Sequence, residues 1–108
     1  MKIIKNVLEK ELKKAKHAQG RYEKVLAALP RGVLVKKLVK GYPYYYLMSR
    51  EKGKVQFEYK GKLLGRDITY HDEVKKDRAR YRQLVAEIKK RIAFITKTLR
   101  SKEMRIAE

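Results

Sequence analysis

The sequence predicts an α+β fold: a long N-terminal helix, a three-stranded antiparallel meander and a long C-terminal helix, with the helices forming an antiparallel hairpin. Two observations predict it. Apolar residues recur at helical spacing near both ends of the chain, and between them the apolar period changes to two. At 108 residues the chain has the size of one domain, so we expect residues 1–108 to form a single domain.

The first helix is predicted over about residues 3–29. Its apolar residues alternate between three- and four-residue spacing, which is typical of a helix packed along another helix. The members of this seam are Ile4, Leu8, Ala15, Ala18, Tyr22, Val25 and Leu29, with Val7 beside it and Glu11 as the one exception. Gly20 weakens the helix by about 1 kcal/mol relative to alanine. Pro30 and Gly32 then end it.

The second helix is predicted over about residues 70–101. The same spacing recurs without interruption at Tyr81, Val85, Ile88, Ile92, Ile95 and Leu99, and Leu84 and Phe94 broaden the apolar face. Thr69, followed three residues later by Asp72, resembles a capping box and places the helix start next to it. Two apolar seams of similar length predict that the helices pack together.

The meander is predicted over about residues 33–60, where apolar residues alternate along three runs. Lys52-Gly53 marks a two-residue hairpin turn, and Gly41-Tyr42-Pro43 is expected to form the turn before it. The cross-strand pairs that follow are Met48 with Phe57, Tyr46 with Tyr59, Tyr45 with Lys60, Leu47 with Glu58 and Glu51 with Lys54. A short edge strand is a further expectation around residues 62–64.

The two sides of this sheet are expected to differ in burial. The side predicted to pack against the helix pair carries Tyr44, Tyr46, Met48, Phe57 and Tyr59. The other side is predicted to face solvent and carries Lys36, Tyr45, Leu47 and Lys60. Tyr45 is therefore the aromatic ring we expect to be available to a ligand.

Positive charge is the strongest compositional signal. Thirty Lys and Arg face twelve Asp and Glu, a net charge of +18. Self-repulsion of this size favours a polyanionic partner, and nucleic acid, either DNA or RNA, is the simplest one. A basic solubilising surface is the alternative. Neither a signal peptide nor a membrane-spanning run occurs, so we expect a cytoplasmic protein that does not bind membranes. The remaining apolar helix surface suggests a homodimer, and a protein partner is also open.

Catalytic constellations are not evident, so we expect a protein that is not an enzyme and needs no cofactor. There is no cysteine, and the two histidines are not spaced as metal ligands, so no metal site is expected. His17 is interpreted as a solvent-side helix residue. His71, Asp72 and Glu73 are interpreted as a helix start, because consecutive residues there do not converge. A small nuclease using these three remains the weakest hypothesis.

The central motifs resemble a family of short, basic, functionally uncharacterised prokaryotic proteins. The matching residues are Leu29-Pro30-Arg31-Gly32, Pro43-Tyr44-Tyr45-Tyr46, Arg50-Glu51, Gly53-Lys54, Tyr59 and Lys62. The resemblance implies a helix, hairpin and helix in this order, and a prokaryotic, viral or mobile-element setting. Many members carry cysteines before the aromatic strand. This chain has Val39, Lys40 and Gly41 there, which removes any expectation of metal binding.

These observations favour a non-catalytic nucleic-acid-binding accessory protein that mainly recognises the phosphate backbone, from a phage, mobile element or defence locus. Lysine and arginine neutralise phosphates, and exposed tyrosines stack on bases. The candidate binding residues are Lys36, Lys37, Lys40, Tyr45, Arg50, Lys52, Lys54, Lys60, Lys62, Lys75, Lys76, Arg78 and Arg80. The alternative is a protein-interaction module that acts as an inhibitor or subunit of a nucleic-acid-processing complex.

Overall fold

The computed structural model describes the backbone of residues 2–107 and the side chains of residues 3–101. The elements in chain order are α1 (Lys2–Ala28), β1 (Val33–Val39), β2 (Tyr42–Glu51), β3 (Lys54–Gly61) and α2 (Gly65–Ala107). The strands form one antiparallel sheet in the order β1-β2-β3, and the two helices pack against each other. The predicted α+β architecture is therefore confirmed. No helix in the described part of the chain is long and apolar enough to cross a membrane.

The chain consists of two compact units where the sequence predicts a single domain. The helical unit contains α1 and the part of α2 from Arg80 onward. The sheet unit is Leu29–Ala79, which holds all three strands and the start of α2. Because α2 is one continuous helix, it belongs to both units.

The helical unit buries the seam that the apolar spacing predicts. The side chains buried along it are Ala15, Ala18, Val85, Ile95 and Leu99. Small alanine side chains on α1 face long aliphatic chains on α2, a combination that lets two helices pack closely. Tyr22 and Tyr81 add an edge-to-face contact with 6.0 Å between ring centroids. Burial of this stripe, rather than helix propensity, stabilises the long helices.

The exception in the seam has a structural explanation. The Glu11 carboxylate accepts a hydrogen bond of 2.9 Å from the Arg91 guanidinium on α2 and lies 3.7 Å from Lys14 Nζ. The charge is therefore paired rather than buried. Two expectations about the width of the seam are wrong: Phe94 is 69% exposed and Val7 is 53% exposed. A pair of helices buries one stripe on each, and Phe94, one residue before the buried Ile95, points about 100° away from it. Val7 lies on the side of the seam and is exposed nevertheless.

The second helix begins at Gly65, five residues earlier than predicted. The Asp67 amide donates to the Leu64 carbonyl at 3.0 Å and starts the first turn. Thr69 is not a cap, because its hydroxyl donates back to the Gly65 carbonyl at 2.9 Å within the helix. The capping-box interpretation is therefore wrong. Asp67 is the acidic residue that lies in the first turn, where a negative charge favours a helix start.

Both hairpins close with a two-residue Lys-Gly turn. The φ angles are 53° and 81° at Lys40-Gly41, and 50° and 77° at Lys52-Gly53. Two successive positive φ values define the turn type that matches the twist of antiparallel strands. The second turn confirms the prediction. The first corrects it, because Gly41-Tyr42-Pro43 is not the turn: Pro43 lies within β2, opposite Leu38.

The register between β2 and β3 agrees with the predicted pairs in all but one case. Met48 pairs with Phe57, Tyr46 with Tyr59, Leu47 with Glu58, and Glu51 with Lys54. Tyr45 pairs with Gly61 instead of Lys60, because the register shifts by one residue between Tyr45 and Tyr46. Lys60 is the extra residue of this β-bulge. Residues 62–64 connect β3 to α2 and do not form the expected edge strand.

The prediction of which sheet face is buried is wrong. Tyr45, expected to face solvent, is only 8% exposed. Phe57 and Tyr59, expected in the core, are 56% and 58% exposed. Successive side chains of a strand point to opposite faces, so an error at one residue reverses the assignment of the whole sheet.

A pair of glycine substitutions, one in each unit, tests the packing inside that unit. A Cβ at Gly32 would lie 2.9 Å from Leu47 Cγ and 3.1 Å from the Met48 carbonyl oxygen, at a φ of 102°. We expect Gly32→Ala to lower the free energy of unfolding by roughly 2 kcal/mol. A Cβ at Gly20 would meet no heavy atom within 4 Å, so Gly20→Ala should raise it by about 0.5–1 kcal/mol. Urea unfolding measures both, and equal effects of the two changes would contradict the packing described.

Candidate nucleic-acid interface

One side of the sheet carries a cluster of aromatic rings, which we call the aromatic face. Its members are Tyr42, Tyr44 and Tyr46 of β2, with Phe57 and Tyr59 of β3. Alternation along the strands and the cross-strand register bring them together. The Tyr59 ring is the centre of the cluster: its centroid lies 5.2 Å from that of Tyr46 and 6.4 Å from that of Tyr44, with which it is stacked at 30°.

Two lysines lie over these rings. Lys37 Nζ is 5.0 Å from the ring centroid of Tyr46 and 5.5 Å from that of Phe57. Lys62 Nζ is 5.2 Å from the ring centroid of Tyr42 and approaches a second ring, that of Tyr44, at 5.9 Å. These are cation–π distances. Lys37 lies in β1, before the first hairpin turn, and Lys62 follows β3. The two lysines therefore come from the first and the last part of the sheet segment of the chain.

Carboxylates are segregated to the other side of the sheet. The strands contain only two acidic residues, Glu51 and Glu58. By alternation along their strands, both lie on the face opposite the aromatic rings. Glu58 is held in an ion pair of 2.9 Å by Lys60, and Glu51 stands opposite Lys54 in the register of β2 and β3. Among the described strand residues, the aromatic face therefore carries positive charge only, from Lys37 and, by alternation, Arg50.

Exposed aromatic rings beside lysines without a neighbouring carboxylate can bind a ligand in two ways. Aromatic side chains stack on unpaired bases, and lysine ammonium groups neutralise phosphates. The described residues contain no group of three or more His, Asp or Glu side chains that could hold a metal ion. The arrangement on this face is therefore suited to binding a polyanion that also presents flat rings.

The predicted binding residues of the sheet unit do not lie on one surface. Lys37 and Lys62 share the aromatic face with Arg50, whereas Lys36 lies opposite Tyr45 on the other face. The remaining four stand at turns or beside acids: Lys40 and Lys52 in the hairpin turns, Lys54 at the start of β3 and Lys60 in the bulge. Tyr45 is buried, so it cannot stack on a base. Its predicted role is wrong because the inward face of β2 is the one that carries it.

The four predicted binding residues of α2 also lie in different surroundings. Lys75 and Lys76 are exposed, and Lys76 forms an ion pair of 3.2 Å with Asp72. Arg78 is half-buried: its guanidinium donates to the Gly32 carbonyl at 3.2 Å and to the Pro30 carbonyl. These bonds tie the start of β1 to α2 within the sheet unit. Arg80 belongs to the helical unit, where its guanidinium carbon lies 5.9 Å from the Tyr81 ring.

The apolar alternation predicts the aromatic face in the core, and the lysines of β1 do not correct that prediction. Lys37 occupies the same alternation as Val35 and Val39, so a buried aromatic face would also bury this lysine near mid-strand. A buried, unpaired ammonium group is costly, and no acidic residue in the strands shares that alternation. Lys36 holds the equivalent position on the other face and likewise has no ion-pair partner among the described residues, so the two lysines do not decide which face is buried.

Comparison with known proteins gives no precedent for this surface. No protein-family model, no curated protein and no solved structure matches the chain. The protein is an α+β chain with a cationic, aromatic sheet surface.

Arg78 should contribute to stability more than to binding. We expect Arg78→Gln to lower the free energy of unfolding by roughly 1–3 kcal/mol, because two backbone carbonyls lose a charged donor. Lys75→Gln removes the same charge from an exposed side chain of the same helix and should change stability by less than about 0.5 kcal/mol. Urea unfolding of both variants checks this. Equal stability of the two would show that the Arg78 bonds contribute nothing.

Proposed function

We propose that this protein binds single-stranded nucleic acid, without catalysis, through the aromatic face of its sheet. The observation that supports the proposal is the coincidence, on one face, of more than half-exposed Phe57 and Tyr59 rings, the Lys37 and Lys62 ammonium groups, and no carboxylate from the strands. Bases would stack on the rings, and the lysines would contact the flanking phosphates.

The lysines that cover the rings do not prevent stacking. A cation–π contact at an exposed site is worth about 0.5–1 kcal/mol, whereas stacking of a base on an aromatic side chain is worth about 1–3 kcal/mol. When a strand binds, the ammonium group moves a short distance from the ring to a phosphate and remains paired. The exchange therefore favours the complex. In the free protein, the same contacts limit the exposure of the rings to water.

Unpaired strands fit this face better than duplex does. The rings stand on a sheet surface, and in a duplex the faces of the bases are already stacked within the helix. A single strand offers both its phosphates and the faces of its bases, in DNA and in RNA alike. The proposed recognition is therefore tolerant of sequence, as is usual where binding depends on stacking and charge.

A protein-interaction module is the second candidate, and the helical unit supplies the observation that favours it. Ile3 is 77% exposed, and Phe94 and Val7 are exposed beside the seam. Scattered apolar side chains of this kind also occur on proteins without such partners. The two candidates differ in salt dependence, because apolar contacts persist at about 0.5 M salt while phosphate contacts are screened.

The rings can be tested without removing apolar surface. We expect Phe57→Leu/Tyr59→Leu to weaken binding of an unstructured oligonucleotide by at least tenfold, because about 1–3 kcal/mol is lost for each stacked base. Val55→Ala, an exposed change on the same face that leaves every ring in place, is the control and should leave affinity within about twofold. Fluorescence anisotropy at about 50 mM salt measures both. Equal affinity of the two variants would remove the rings from the interface.

The lysines can be tested by their salt dependence. Each phosphate contact to a single strand contributes about 0.7 to the slope of log affinity against log salt concentration. We expect Lys37→Gln/Lys62→Gln to reduce that slope by about 1.4. The matched control, Lys36→Gln/Lys60→Gln, removes the same charge from outside the aromatic face and should reduce it less. The reverse order of effects would move the site to the other face, and no binding at 50 mM salt by the unmodified protein would refute the proposed function.

A further inference from the structure

The outer face of α1 carries a continuous row of basic side chains, which we call the basic stripe. Its members, all exposed, are Lys10, Lys13, Lys14, His17, Arg21 and Lys24. They recur at spacings of three and four residues and so lie on one side of the helix. Two adjoining shallow grooves run along this side, lined by the stripe residues together with Lys16 and Gly20.

The stripe is centred about 120° around α1 from the buried seam and has no acidic member. At 100° per residue, His17 points about 160° away from Ala15, which is buried against α2. The two carboxylates between Lys10 and Lys24 stand to its sides. Glu11 is bound to Arg91 and also lies 3.7 Å from Lys14 Nζ, so it pairs with one member of the stripe, and Glu23 accepts a hydrogen bond of 3.0 Å from Gln19. In the described part of the chain, no carboxylate lies within ion-pair distance of Lys13, Arg21 or Lys24.

This composition carries a cost for the free helix. Like charges three or four residues apart are destabilising, and the stripe has this spacing among Lys10, Lys13 and Lys14 and again between Arg21 and Lys24. Gly20 lies in the same row and also disfavours the helix. Packing does not require this glycine, since an added Cβ would meet no heavy atom within 4 Å. The like charges and Gly20 lie on the same side of α1, and both favour a polyanion bound closely there. The negative charge of the polyanion would relieve the repulsion, and the absence of a side chain at Gly20 would leave room for the polyanion's backbone.

We propose that the basic stripe of α1 is a second nucleic-acid-binding surface, which takes the phosphate backbone of a duplex. Fourteen residue steps from Lys10 to Lys24 span about 21 Å, and a duplex presents one phosphate charge per about 1.7 Å of its axis. The stripe contains no Tyr, Phe or Trp, and the imidazole of His17 is its one ring, so its contacts to a nucleic acid are mainly to phosphates. A duplex has the higher charge density and is therefore the preferred ligand. This surface lies in the helical unit and is separate from the aromatic face, which lies in the sheet unit.

The test uses the full chain and a blunt-ended DNA duplex of about 20 base pairs, titrated between about 50 and 200 mM salt. The stripe variant is Lys13→Gln/Arg21→Gln/Lys24→Gln, which retains good helix formers. The matched control, Lys89→Gln/Lys90→Gln/Lys97→Gln, removes the same charge from exposed positions of α2. We expect the stripe variant to lose at least tenfold in duplex affinity at 50 mM salt. Its salt slope should fall by about 2–3, since each duplex contact contributes about 0.9, and the control should change much less.

Further measurements separate this proposal from the one about the aromatic face. Phe57→Leu/Tyr59→Leu should retain duplex binding, and the stripe variant should retain binding of the unstructured oligonucleotide to within about threefold. With both ligands present, the unmodified chain should hold one of each. Identical duplex affinity and slope in the stripe variant and its control would overturn the stripe proposal, as would binding to anionic lipid vesicles without binding to duplex. Either result leaves the aromatic face untouched.

Discussion

The pleat of β2 is the constraint on which the sheet unit depends. Adjacent side chains of a strand point to opposite faces, so burial of Tyr45 commits Tyr44 and Tyr46 to the other side. The register carries this choice to β3, where Tyr59 pairs with Tyr46 and remains more than half exposed. The inward side is fixed at its edge by Gly32, which closely approaches Leu47, and by the guanidinium bonds from α2. A set of local contacts on one face thereby determines the chemistry available on the other.

Segregation of charge gives the exposed face its character. With a net charge of +18, lysines alone do not distinguish one surface from another. The distribution of the few carboxylates does. In the strands, both acidic side chains lie away from the aromatic rings, and in α1 the carboxylates near the basic stripe are engaged to its sides. Where carboxylates are absent, cations remain available to a ligand. The positions of the twelve acids are therefore more informative about binding than the positions of the thirty bases.

The elements and their order could be predicted from the sequence, because each depends on a local period or turn. The register also followed, except at the bulge beside Lys60, whose extra residue no pattern reveals. Which face of the sheet is buried could not be predicted in the same way. Alternation separates the two faces without telling which one points inward, and β2 has apolar side chains on both. The larger number of aromatic rings on the face of Tyr46 and Tyr59 favoured burial of that face, which is the exposed one. The lysines near the middle of β1 favoured neither side, because Lys36 lies on one face and Lys37 on the other.

Salt connects the free and bound states of both surfaces. In the free protein, the repulsion along the basic stripe is between exposed charges, so it weakens as the Debye length falls from about 30 Å at 0.01 M to about 10 Å at 0.1 M. Added salt therefore stabilises the free chain while it weakens phosphate binding. A bound polyanion acts on the fold in the same direction as salt, because a ligand that binds the native state alone raises its stability. The stability of a chain of this composition therefore depends on the ions around it. A bound polyanion provides the same stabilisation as salt and also fits the two cationic surfaces.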